Sequence, residues 1–84
     1  MLSVRYFARL REDLGRSAET LEPPAHVTDV AGLRNWLAAR GEPWARALQG
    51  DRAVRVAVNL EMARDGTPLK PGDEVAFFPP VTGG

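Results

Sequence analysis

Hydrophobic and polar residues alternate over the first segment of the chain. In residues 2–8, Leu2, Val4 and Tyr6 share one side and Phe7 lies on the other, which is the period of a half-buried strand. Residues 17–22 are predicted to form a second strand paired with the first. The dipeptide Pro23-Pro24 ends it, because proline has no N–H group to donate to a sheet.

The most regular helical pattern begins after Asp29. Val30, Leu33 and Leu37 follow at positions i, i+3 and i+7, which gives one apolar stripe along a helix. The Asp29 carboxylate can accept hydrogen bonds from the free N–H groups of the first turn. Gly41 is predicted to stop this main helix.

Two shorter helical segments are predicted on either side of the main helix. The first covers residues 9–14 and ends at Gly15, where a left-handed residue is favoured. The second opens at Pro43 and pairs Trp44 with Leu48 at i, i+4.

Two further strands complete the predicted sheet. Residues 53–59 alternate around three valines, and residues 74–78 place Val75 and Phe77 opposite Ala76 and Phe78. The sequence therefore predicts an α+β domain with a β-grasp (ubiquitin-like) plan: a mixed sheet of four to five strands, one main helix and short helical insertions. We expect residues 1–78 to form this domain and residues 79–84 to form a flexible C-terminal Gly-Gly arm.

Composition narrows the possible functions. The chain has 84 residues, eleven basic and eleven acidic side chains, and no cysteine. A balanced charge gives no general attraction to nucleic acid or to membranes, and the absence of cysteine excludes thiolate metal sites and cysteine nucleophiles. His26 is the only histidine and is predicted in an exposed loop; no metal-ligand spacing is present. We expect a cytoplasmic protein that binds no cofactor and is not an enzyme.

The C-terminal arm carries the candidate chemistry. Pro79 and Pro80 take the chain out of the sheet and stiffen its base, and Val81 and Thr82 lead to Gly83-Gly84. Glycines without side chains could pass through a narrow channel. The α-carboxylate of Gly84 is unhindered, so it is suited to be modified rather than to act as a catalyst.

The same segment resembles a known family, the small sulfur-carrying subunits of molybdopterin synthase. Residues 72–84, GDEVAFFPPVTGG, look like that family's terminal signature. Further matches are Tyr6-Phe7-Ala8, Leu10-Arg11-Glu12, Gly15, Leu33-Arg34 and residues 56–59. The resemblance covers essentially the whole chain.

The resemblance implies a reaction cycle. An adenylating enzyme related to ubiquitin-activating enzymes would use ATP and Mg to adenylate Gly84, and a persulfide donor would convert the acyl-adenylate to a thiocarboxylate. Residues 79–83 would thread this group into the large synthase subunit, where its sulfur passes to a cyclic pterin precursor. The carrier itself would supply no catalytic group.

A partner surface follows from the strand pattern together with the resemblance. If the valines of the sheet face the helix, Phe7 and Phe78 emerge on the opposite face. Met62 follows the third strand closely enough to lie beside them. We expect Phe7, Met62 and Phe78 to form an exposed apolar docking patch, with Arg11 at its rim.

Three other functions remain open from the sequence. The chain could be a related sulfur carrier that serves thiazole synthesis or tRNA thiolation. It could instead be a protein modifier that is joined through Gly84 to lysines of targets. It could also be an interaction domain with an inert terminus.

Overall fold

The computed structural model describes residues 1–49 and 54–79. The strands and helices follow one another as β1 (Leu2–Tyr6), α1 (Arg9–Leu14), β2 (Ala18–Leu21), α2 (Val30–Ala38), α3 (Trp44–Gln49), β3 (Arg55–Val58), β4 (Glu61–Met62) and β5 (Glu74–Phe78). The predicted elements occur in the predicted order, and the structure adds one short strand, β4, before the last strand. The predicted strand start at residue 53 and the arm from residue 80 onward lie outside the described residues.

The five strands form one mixed sheet in the order β2-β1-β5-β3-β4. β1 pairs antiparallel with β2, as predicted, and parallel with β5. β3 pairs antiparallel with both β5 and β4. The last strand of the chain is therefore the centre of the sheet, and its C-terminal end lies beside the C-terminal end of β1.

Local signals position the helices. Asp29 Oδ1 accepts a hydrogen bond of 2.8 Å from the backbone N–H of Gly32, so the predicted cap of α2 is confirmed. Gly15 has a φ of 72° at the end of α1, the left-handed conformation that glycine adopts without a steric penalty.

β1 ends before the predicted residue 8, because Ala8 has a φ of 53°, a conformation that leaves the extended region.

The core lies between one face of the sheet and the helices. Val4, Tyr6, Val75 and Phe77 are almost completely buried, together with Leu33 and other members of the α2 stripe. The Tyr6 and Phe77 rings stack at 6.2 Å, and Trp44 meets Tyr6 edge-on at 5.6 Å. The helices cover only this face of the sheet. The opposite face, which we call the open face, carries the alternate strand residues.

Candidate functional site

The central strand β5 ends at Phe78, directly before the residues predicted to form the C-terminal arm. β5 is hydrogen-bonded on both sides, with Tyr6 of β1 opposite Phe77 and Arg55 of β3 opposite Phe78. Pro79 follows immediately and cannot donate a ladder hydrogen bond. The pairing of β5 therefore ends at Phe78, in the middle of the sheet. Of the predicted threading positions only Pro79 is described; the others and Gly84 fall in residues 80–84, which lie outside the described residues.

The structure gives the exposure of the three residues predicted to form an apolar patch on the open face. Phe7 is 46% exposed and Met62 is 61% exposed, while Phe78 is half-buried. The backbone N–H of Phe7 donates to the Phe77 carbonyl at 3.1 Å, so Phe7 lies beside the end of β5. We define the docking patch as Phe7, Met62 and Phe78.

Two alanines connect the members of the docking patch. Ala76 of β5 pairs with Ala57 of β3, and Ala57 pairs with Met62 of β4. Met62 therefore lies two strands from β5, about 10 Å across the sheet. The small side chains of the alanines leave a shallow apolar surface between Phe78 and Met62. A shallow surface of this kind is suited to a protein partner rather than to a small ligand.

Charged residues surround this surface. Arg5 Nε lies 2.9 Å from Glu74 Oε1 across β1 and β5, and Arg55 is exposed opposite Phe78. An apolar centre with a charged rim is typical of protein interfaces. Arg11 is exposed on α1, which follows β1 at the end of the sheet where β5 also ends. Arg11 therefore lies outside the strands of the patch, but it is at the end of the sheet where β5 ends.

Residues with potential catalytic chemistry are sparse where the chain is described. His26 lies exposed in the turn before α2, as predicted. Residues 1–49 and 54–79 contain no group of three His, Asp or Glu side chains that could hold a metal ion. Within the same residues, the helices are too short and too polar to cross a membrane.

A charged cluster that the sequence did not reveal lies on the helix side of the sheet. The Glu19 carboxylate of β2 accepts hydrogen bonds from Tyr6 at 2.7 Å, from Arg16 at 3.0 Å and from Arg40 at 3.0 and 3.2 Å. The Arg40 guanidinium also lies 4.5 Å from the centre of the Trp44 ring, within cation–π range. The cluster joins the edge strand to the segment between α2 and α3. Its role is structural, because Glu19 is enclosed by its own partners.

The pKa values of this cluster follow from its contacts. Burial acts to raise the pKa of Glu19, but the hydrogen bonds from Arg40 and Tyr6 outweigh it and hold the pKa below the usual value. For Tyr6, burial and then the hydrogen bond to Glu19 raise the pKa far above its usual value. At neutral pH the carboxylate is therefore ionised and the phenol is protonated.

Replacing Glu19 by Gln is expected to destabilise the domain in a pH-dependent way. Loss of the charged acceptor should lower the free energy of unfolding at pH 7 by about 1.5–3 kcal/mol. Because the folded-state pKa of Glu19 is lowered, its stabilisation is present above the unfolded value of 4.5 and is lost as the pH falls further. Urea unfolding from pH 7 down to pH 3 measures this difference, with exposed Glu22→Gln as the matched control. A difference between wild type and Glu19→Gln that stays constant over this range would contradict the account.

The fold now defines a class of protein. A mixed sheet whose central strand is the last one, with a helix packed across one face, is the ubiquitin-like β-grasp fold, as predicted. Within this class the family model described as "ThiS family" matches residues 4–84. The chain belongs to the ThiS family.

Individual relatives agree with this assignment. The chain is 45% identical to the molybdopterin synthase sulfur carrier subunit of Escherichia coli over 84 residues, which is all of both chains. Its fold is similar to a putative molybdopterin converting factor subunit 1 from Pyrococcus furiosus, with a TM-score of 0.77, 30% identity and coverage of 95% of this chain and 97% of that one. It is also similar to a chain in the complex of subunits 1 and 2 of the molybdopterin-converting factor from Helicobacter pylori, with a TM-score of 0.67, 25% identity and coverage of 99% and 97%.

Proposed function

We propose that this chain is the sulfur carrier subunit of a molybdopterin synthase and that the α-carboxylate of Gly84 carries the sulfur. The observation that carries the proposal is the position at which β5 ends. Phe78, the last residue of this central strand, belongs to the docking patch and lies directly before the predicted arm. A partner that binds the patch can receive the arm at the same time. The similarity over the full length of a curated sulfur carrier subunit supports the same function.

The proposed chemistry begins with activation of Gly84. Its carboxylate attacks the α-phosphorus of ATP on an adenylating enzyme, which uses Mg, and pyrophosphate leaves. The terminal sulfur of a persulfide then displaces AMP from the acyl carbon. A thiol then attacks the donor's sulfur in the resulting acyl disulfide and forms a new disulfide with the donor, and the glycine leaves as a thiocarboxylate. Adenylation is needed because a free carboxylate is stabilised by resonance and has no good leaving group.

The carrier is proposed to deliver this sulfur without catalysing the transfer. The docking patch would bind the large synthase subunit, and residues 79–83 would extend into its active site. The six residues from Pro79 can span roughly 20 Å when extended. General acids and bases for the transfer to the cyclic pterin precursor would come from the large subunit. We propose the cytoplasm as the site of this reaction, with neither nucleic acid nor membrane as a partner.

Intact mass spectrometry tests the activation step. The purified chain is incubated with the adenylating enzyme of a molybdopterin pathway, ATP, Mg and a persulfide donor, and a reaction without ATP is the control. We expect a mass increase equal to the replacement of one oxygen by sulfur, located at Gly84 by fragmentation. The result should depend on ATP.

The alternatives give different outcomes when this experiment is extended by adding other proteins and, separately, the large synthase subunit with its pterin precursor. Adducts between Gly84 and lysines of other proteins would indicate a protein modifier. An unchanged mass would indicate an interaction domain with an inert terminus. A thiocarboxylate that the large synthase subunit cannot use would indicate a carrier for thiazole synthesis or tRNA thiolation.

A further inference from the structure

The tip of the β3–β4 hairpin presents an exposed leucine in an unfavourable backbone conformation. Leu60 is 89% exposed and has a φ of 70°, next to Asn59 with a φ of 51°. Two-residue hairpin turns with positive φ values favour Asn-Gly, because a side chain at the second position crowds the backbone. Leu60 buries almost none of its surface within the chain. Folding therefore gives no reason for leucine at this position.

The turn that carries Leu60 is held in place by hydrogen bonds. Asn59 Nδ2 donates to Asp73 Oδ1 at 2.9 Å, and Asn59 Oδ1 accepts from the Glu74 backbone N–H at 3.0 Å. The Asn59 N–H also donates to the Glu74 carbonyl at 2.8 Å. Asp73 is fixed in turn by the Lys70 N–H at 2.9 Å. An exposed side chain on a braced turn loses little freedom on binding, which favours affinity.

Leu60 lies in the turn directly before β4, at the edge of the open face. Met62 pairs with Ala57 on that face, and Leu60 precedes Met62 by two residues. In the described part of the chain the exposed large hydrophobic residues are Met1, Phe7, Leu60 and Met62, so two of the four lie on the open face and Leu60 lies in the turn beside it. The turn lies beside Glu74, five residues from Pro79, and is therefore about 16 Å from the start of the arm.

We propose that Leu60 is a second anchor for the large synthase subunit, at the opposite end of the open face from the arm. This inference rests on the proposed function. A carrier held by its arm and the docking patch alone could still tilt about the end of the sheet where β5 ends. An apolar contact at the far end fixes the orientation of the domain and so the direction in which the arm enters its partner. The partner surface that meets Leu60 is an apolar pocket, because a fully exposed leucine gains affinity only by leaving water.

Leu60→Asn tests this proposal, because asparagine is well tolerated at positive φ. The variant should melt at or above the temperature of the wild type. Its affinity for the purified large subunit should fall about tenfold, mainly through faster dissociation. Leu60→Met keeps an apolar side chain and should restore most of the affinity. Thr20→Asn, on the exposed part of the edge strand β2, is the control and should bind like the wild type.

The outcomes separate this inference from the proposed function. If the wild type binds the large subunit and Leu60→Asn binds equally well, Leu60 is not an anchor, while the carrier function stands. If both Leu60→Asn and Leu60→Met lose affinity and stability together, the residue acts through the turn and the proposal is overturned. If the wild type itself does not bind the large subunit, the proposed function fails.

Discussion

Deletion of Gly84 is expected to abolish sulfur transfer and to leave the melting temperature of the domain unchanged. The deletion shortens the arm by one residue, about 3.5 Å, so the acyl carbon no longer reaches the adenylating site or the large subunit's active site. The hydrophobic core of the described residues lies between residues 2 and 77 and does not include Gly84. Intact mass after activation and the yield of sulfurated product measure the effect, and thermal unfolding measures stability.

Thr82→Ser is the matched control for this deletion. It changes a side chain of the arm but keeps its length and its terminal glycine. Its sulfur transfer should stay within a few-fold of the wild type. Near-normal transfer by the chain without Gly84 would show that the reactive carboxylate is not that of Gly84.

The adjacent residues Phe77 and Phe78 are expected to give opposite effects when each is replaced by Ala. Phe77 is 0% exposed and stacks on Tyr6, so Phe77→Ala should cost about 3–5 kcal/mol of unfolding free energy. Phe78 is half-buried on the open face. Phe78→Ala should therefore melt close to the wild type but lose about 2 kcal/mol of binding to the large subunit, which is about 30-fold in affinity.

Urea unfolding and equilibrium binding are both needed for this pair. The two variants remove the same atoms from neighbouring positions, so the choice of face is the only difference between them. If Phe78→Ala unfolded as easily as Phe77→Ala and kept its affinity, Phe78 would belong to the core. The assignment of Phe78 to the docking patch would then be wrong.

Much of the fold could be predicted because its signals are local. Strict alternation over Leu2, Val4 and Tyr6 indicates burial on one face. Asp29 marks the start of a helix through its side-chain carboxylate, and Gly15 marks the end of one through its left-handed backbone. The sequence did not predict β4 as a separate strand. It contains only Glu61 and Met62, which is too short for any periodicity, and it exists because β3 offers it an edge.

The parts of the site that the sequence missed depend on contacts between distant segments. Glu19 and Tyr6 lie on two strands and Arg40 lies in the segment between α2 and α3, and no spacing along the chain indicates that they meet. The sequence contains a weak signal for the turn at Leu60, because Asn59 follows a strand and asparagine often opens a hairpin turn. What the sequence could not show is that Leu60 takes the place in this turn where glycine is preferred.

The most direct test of the central claim follows the sulfur itself through one turnover. The thiocarboxylated chain is mixed with the large subunit and the cyclic pterin precursor, and its intact mass is recorded over time beside the yield of sulfurated pterin. The account predicts that the chain returns to the mass of the carboxylate as product forms, and only when both the large subunit and the precursor are present. A chain that retains its sulfur while product accumulates, or that loses it equally fast without the large subunit, would contradict the claim that Gly84 is the sulfur donor.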